Sequence, residues 1–189
     1  MATTPTPTDP GWGSPRGYLG VLVPGALQRR ARSGEGGLLL MRQAFVVYTS
    51  SMVVILVIDA VLTANQPGDN TVSALLMSML VAIAGVLAVG ATWRAKTPLP
   101  CSSPAELLVA FRTRFFLRVV GAMAAALFGF VGSFLSTSVA PYLVGLAFGL
   151  VGMSRNAPTR TQLQREQDAL VRAGCPHHLY ELLVESGPS

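Results

Sequence analysis

Apolar residues in this chain fall into four long blocks separated by short polar punctuation, not at the spacing of a surface helix. The blocks cover residues 44–64, 71–92, 115–135 and 139–153. About 20 residues at ~1.5 Å each cross the roughly 30 Å of a bilayer's hydrocarbon, so the pattern predicts four transmembrane helices. The fourth is short by count, and its Gly and Ala content suits burial against its neighbours. Between the first two blocks stands Asn-Gln-Pro-Gly-Asp-Asn (residues 65–70), whose Pro67 and Gly68 favour a reversal. Ser-Thr-Ser-Val-Ala-Pro (136–141) makes the second turn. The expected fold is an all-α membrane protein of two hairpins, spanning 44–93 and 115–154.

The flanking segments read differently. Residues 1–17 are rich in Pro, Thr and Gly without apolar periodicity, a composition that predicts disorder. Residues 18–43 hold a short apolar run broken by Pro24 and Gly25, then Arg29, Arg30 and Arg32. Charges that follow the apolar run are the reverse of a signal peptide, so a segment lying on the cytoplasmic membrane surface is expected. Gly34, Gly36 and Gly37 then form a joint. The 94–114 linker carries a short helix over 105–114, with Ser103 as N-cap, Pro104 at its first position and Glu106 near the positive end of the dipole. Residues 155–189 form a helical tail. Thr159 and Gln162 stand at capping-box spacing, Leu163 and Leu170 one heptad apart, and Gly174 marks a stop. A second short helix is expected to start at Pro176, with Leu179, Leu182 and Leu183 on one face.

Charge orients this arrangement. Both predicted hairpin turns lack Lys and Arg; all fourteen basic residues lie in the N-terminal segment, the central linker with its helix ends, or the tail. The positive-inside rule therefore places both termini and the linker in the cytoplasm and the two turns outside. Composition agrees: 51% hydrophobic and 12% charged is half the charge of an ordinary soluble domain, which carries about 25%. A mean hydropathy of +0.50 points the same way. The net charge of +5 is thereby accounted for by topology, and no nucleic-acid partner is expected. In a reducing cytoplasm Cys101 and Cys175 are not expected to pair.

Few residues carry candidate chemistry. Asp59 is the one acidic residue within a predicted span, and an intramembrane carboxylate is a functional candidate by default. Its position in the outer third of the first helix favours a hydrated group near the interface. Arg118, one turn inside the third span, is expected to snorkel to cytoplasmic headgroups. With Arg94, Lys96, Arg112 and Arg114 it forms a candidate site for anionic lipid heads. Gly121, Ala125 and Gly129 recur every four residues in the third span, and Gly145 and Gly149 form a GxxxG in the fourth. Small residues at that spacing predict close helix packing. Cys175, His177 and His178, with or without Cys101, match no standard zinc spacing, so neither metal nor cofactor is expected. There is no phosphate loop, Ser-His-Asp set or H-E-x-x-H, and catalysis is not expected.

The two predicted hairpins share an outline. Arg42 to Phe45 opens one as Arg112 to Phe115 opens the other, and Lys96-Thr97-Pro98 closes the first as Arg155-Asn156-Ala157-Pro158 closes the second. The third span from Met123 to Val131 resembles the carboxylate-bearing helix of subunit c of rotary ATP synthases. Met123 stands where that family's proton-carrying acid would be, so the rotary function does not carry over. Thirteen arginines against one lysine suggest a GC-rich bacterial genome. The whole chain resembles a group of uncharacterised four-helix membrane proteins of actinobacteria, through Arg112 to Phe116, Ala157 to Arg160, and Gly174-Cys175. That resemblance implies no activity, and the location expected from the spans and charges is the plasma membrane. The expectation is a non-enzymatic scaffold or regulatory subunit of a membrane complex, its lipid-embedded body joined by a membrane-protein partner or a second copy. The tail leucines would bind the partner. The alternative is a small oligomeric channel or transporter component with Asp59 as its protonatable group.

Overall fold

A computed structural model describes residues 11–12, 37–64, 71–94 and 99–185. Among them all regular structure is helical: α1 (Gly37–Ala64), α2 (Thr71–Arg94), α3 (Pro104–Ser136), α4 (Ala140–Asn156), α5 (Arg160–Arg172) and α6 (Leu179–Glu185). α1, α2 and α3 are each long and apolar enough to cross a membrane. The 65–70 turn, most of residues 1–17, residues 18–36 and Lys96 lie outside the described residues.

Several boundaries differ from the sequence reading for identifiable reasons. α1 begins at Gly37, one of the glycines assigned to the joint, and so absorbs residues 37–43 of the expected surface segment. The 105–114 helix and the third span are one continuous helix, because no Gly or Pro interrupts residues 105–120. Its start follows local chemistry. Ser103 accepts the Glu106 N–H on its hydroxyl (3.3 Å) and the Leu107 N–H on its carbonyl (3.1 Å). Ser102 donates to the Glu106 carboxylate. α3 ends with Thr137 in the left-handed region (φ 51°), where Ser138 N–H reaches back to the Ser133 carbonyl (3.3 Å).

The chain divides into two compact units. One comprises residues 48–98 and 113–156, a four-helix body built from most of α1 and α2, the greater part of α3, and α4. Its exposed faces are apolar: Val53, Val57 and Val61 on α1, Leu76, Leu80 and Leu87 on α2, and Leu117, Val131 and Leu135 on α3. Its buried residues include Asp59, Ser133 and Ser136. A water-soluble protein has the opposite arrangement, and contiguous apolar surface on this scale calls for a nonaqueous surround.

The other unit joins segments far apart in sequence: residues 1–47, 99–112 and 157–189. Arg42, almost fully buried, donates from Nε to the Pro158 carbonyl (3.1 Å) and from Nη1 to the Gly11 carbonyl (2.6 Å). Its guanidinium lies over the Trp12 ring, 5.3 Å from the centroid, and Trp12 in turn packs on Phe45. Gly11 and Trp12 thus have defined places on α1 within a segment whose composition predicts disorder. Leu38, Leu107, Leu163, Leu170, Leu179 and Leu183 are buried in this unit. α5 is capped by Thr159, whose hydroxyl accepts the Gln162 N–H (3.3 Å), and ends ahead of Gly174 (φ 79°).

Two further expectations fail in the same unit. α6 starts at Leu179 and not at Pro176, because Gln167 of α5 takes over the capping. Its side chain accepts the Leu179 N–H (2.7 Å) and donates to the His177 carbonyl (3.2 Å), holding 176–178 out of the helix. Cys101 and Cys175, expected to be free thiols, form a disulfide with Cα atoms 5.6 Å apart. Residue spacing could not reveal that the two helix ends carrying them would meet.

Candidate functional site in the four-helix body

Asp59 is fully buried, contrary to the hydrated position expected of it. The Ser133 hydroxyl of α3 donates toward both carboxyl oxygens, at 2.8 Å to Oδ1 and 2.7 Å to Oδ2. One hydroxyl proton faces two acceptors, and Ser133 itself is completely buried. The Ser133 oxygen retains acceptor lone pairs, so the same geometry also suits a neutral acid that donates to it. Three other hydroxyls of the body turn to the backbone of their own helix. Thr63 donates to the Asp59 carbonyl (2.8 Å), Ser136 to the Gly132 carbonyl (2.8 Å) and Ser78 to the Ala74 carbonyl (2.7 Å). Such back-bonding removes unsatisfied hydroxyls from an apolar surround.

A second polar link ties α4 to α1. Tyr142, fully buried, donates its phenol to the Met52 carbonyl at 2.5 Å. Its ring meets Phe130 edge-on at 6.2 Å, and Phe130 meets Phe134 at 5.0 Å. Sequence inspection singled out neither Ser133 nor Tyr142. Both are common residues in membrane helices, and only the fold reveals that they face α1.

The candidate packing glycines lie where backbones approach. A Cβ on Gly145 would run into the Ala125 carbonyl, and one on Gly129 would stand 2.8 Å from the Pro141 carbonyl and 3.1 Å from the Gly145 Cα. α3 and α4 are therefore in backbone contact at this level. Gly149 sits 3.1 Å from the Ala122 carbonyl on the same measure. Gly121 packs instead on α2, against the Thr92 methyl. Gly85 of α2 and Gly152 of α4 belong to the same system, against Phe148 and Ala122 respectively, and the GxxxG pattern did not point to them.

The headgroup candidates are distributed along the helices. Arg94 is exposed in the last turn of α2, and Arg112, Arg114 and Arg118 are half-buried on α3, the last two one turn apart. Met123, at the position of the acid in the subunit c resemblance, is half-buried. His177 and His178 flank the Gln167 contact, and no cluster of three or more His, Cys, Asp or Glu able to hold a metal occurs among the described residues. No family model, curated protein or solved structure matches this chain.

Proposed function

We propose that the chain is a four-span integral membrane protein of the plasma membrane, with both ends and the 94–114 linker in the cytoplasm. It acts there as a non-enzymatic scaffold or regulatory subunit of a membrane complex. The observation that carries this reading is the bond from Arg42 to the Pro158 carbonyl, across 116 residues. Arg42 lies in the second turn of α1 and Pro158 follows α4, so the start of α1 and the segment after α4 share one compact unit. An even number of crossings brings them to one side of a bilayer, and an odd number does not. α4 has 17 residues, about 26 Å at ~1.5 Å each, close to the ~30 Å hydrocarbon thickness. Gly-mediated contact with α3 suits a short, protein-covered span.

The buried tail leucines move the expected partner surface. Leu163, Leu170, Leu179 and Leu183 are occupied within the chain, so the docking face is the polar side of α5, where Thr161, Gln164, Arg165, Asp168 and Arg172 are exposed. A folded tail presenting such a face suits a regulatory subunit. The test is purification of the intact protein in mild detergent beside the Arg165→Glu/Arg172→Glu variant. Specific companions of the wild type should be lost from the variant while its yield and folding stay unchanged. An identical set of companions would remove α5 as the docking element.

A second reading rests on the Asp59–Ser133 pair, which places an ionisable group among closely packed helices. A small transporter or channel component using Asp59 would show pH-dependent flux in proteoliposomes that Asp59→Asn abolishes. Absence of flux from folded wild-type protein would discard it.

A further inference from the structure

We propose that Cys101 and Cys175, the two cysteines of the chain, form a reversible redox clasp on its cytoplasmic face. The compartment assigned to the clasp rests on the four-span reading above. The Cα atoms stand 5.6 Å apart, within the usual range for a disulfide, although 74 positions separate the residues. Each cysteine is held by a helix end. The Cys175 N–H donates to the Leu170 carbonyl (3.0 Å) just past the α5 stop at Gly174, and Cys101 lies two residues before the Ser103 cap of α3.

The buried leucines give this tail unit an apolar core that does not depend on the sulfur bond. Reduction therefore leaves the two thiols near one another, poised to pair again. A cytosol keeps thiols reduced, and pairs that do oxidise there are characteristically transient and sensing. The two cysteines differ in access: Cys175 is buried and Cys101 half-buried. Cys101 is thus the thiol that a small oxidant meets, and Cys175 resolves it.

With a peroxide as oxidant the chemistry balances. The Cys101 thiolate attacks one peroxide oxygen and breaks the O–O bond. For hydrogen peroxide the leaving hydroxide takes up a proton as water, and Cys101 becomes a sulfenic acid. The Cys175 sulfur then attacks the Cys101 sulfur, the S–O bond breaks, and a second water leaves with the Cys175 proton. Overall two thiols and one peroxide give one disulfide and two waters. A dithiol reductant reverses the oxidation by two exchange steps and leaves as its own disulfide. The closed clasp joins the segment entering α3 to the end of α5, and so fixes the α5 polar face proposed to dock a partner.

The test uses the full-length protein in living cells, quenched with acid and then tagged in denaturant with a maleimide polymer. Two tags per chain are expected in resting cells, none after a hydrogen peroxide pulse, and two again after a permeant dithiol. In Cys101→Ser the Cys175 thiol, and in Cys175→Ser the Cys101 thiol, should not be lost to an internal disulfide after the pulse. A chain that keeps two tags through the pulse, or carries none in resting cells, overturns the clasp. Labelling Cys175→Ser in intact cells with an impermeant maleimide separates the two readings. External labelling of Cys101 overturns the cytoplasmic assignment and the clasp together. Protection from that reagent combined with two persistent tags overturns the clasp and leaves the topology standing.

Discussion

A single hydroxyl decides how Asp59 sits between α1 and α3. Burying a carboxyl group in an apolar environment is costly unless hydrogen bonds compensate, and Ser133 is its side-chain partner. Bonds of this kind between membrane helices contribute about 0.6 kcal/mol on average and up to ~2 kcal/mol. Ser133→Ala should therefore lower stability in detergent unfolding by about 0.6–2 kcal/mol, and Ser133→Thr should recover part of it. In a double-mutant cycle with Asp59→Asn, a coupling near zero would show that the pair is not energetically linked. The sequence singled out Asp59 because an acid inside an apolar run is conspicuous. It did not indicate burial, since depth along a helix is legible from counting and the direction a residue faces is not. Ser133 lies 74 positions away, in a helix where serine is unremarkable.

Helix existence was legible at the scale of elements, and helix meeting was not. Length and apolarity located all four long segments, and cap chemistry at Ser103, Thr159 and Gly174 located three helix ends. The start of α6 was missed because Gln167, on a neighbouring helix, supplies the cap. Gln167→Ala removes both bonds and should destabilise the tail by about 1–3 kcal/mol, measurable as faster amide exchange in α6. The glycines permit a sharper contrast. Gly145→Ala drives a methyl into the Ala125 carbonyl and should cost about 1–3 kcal/mol through overpacking. Gly90→Ala, with nothing within 4 Å of the added carbon, should be tolerated. Equal thermal unfolding of the two variants in detergent would contradict the α3–α4 backbone contact.

The four-helix body turns apolar side chains outward, and the orientation proposed for it rests on the charge pattern. That orientation is argued from the sequence alone, because insertion responds to the count of basic residues near each span, a property of composition that needs no knowledge of packing. The number of crossings is the more demanding matter, because α4 is shorter than the other three long helices. If α4 did not cross, the linker at Cys101 and the tail at Gln164 would lie on opposite sides of the membrane. Arg155 in the last turn of α4, and Arg160, Arg165 and Arg172 after it, favour its crossing by the same charge rule. Single-cysteine variants on a Cys101→Ser/Cys175→Ser background decide between the two topologies. Ser138→Cys should react with an impermeant maleimide in intact cells, since both topologies put the turn between α3 and α4 outside. Gln164→Cys, exposed on α5, should react only after the membrane is opened. Labelling of Gln164→Cys from outside, at the rate seen for Ser138→Cys, would reduce the spans to three and place the tail and its docking face outside the cell.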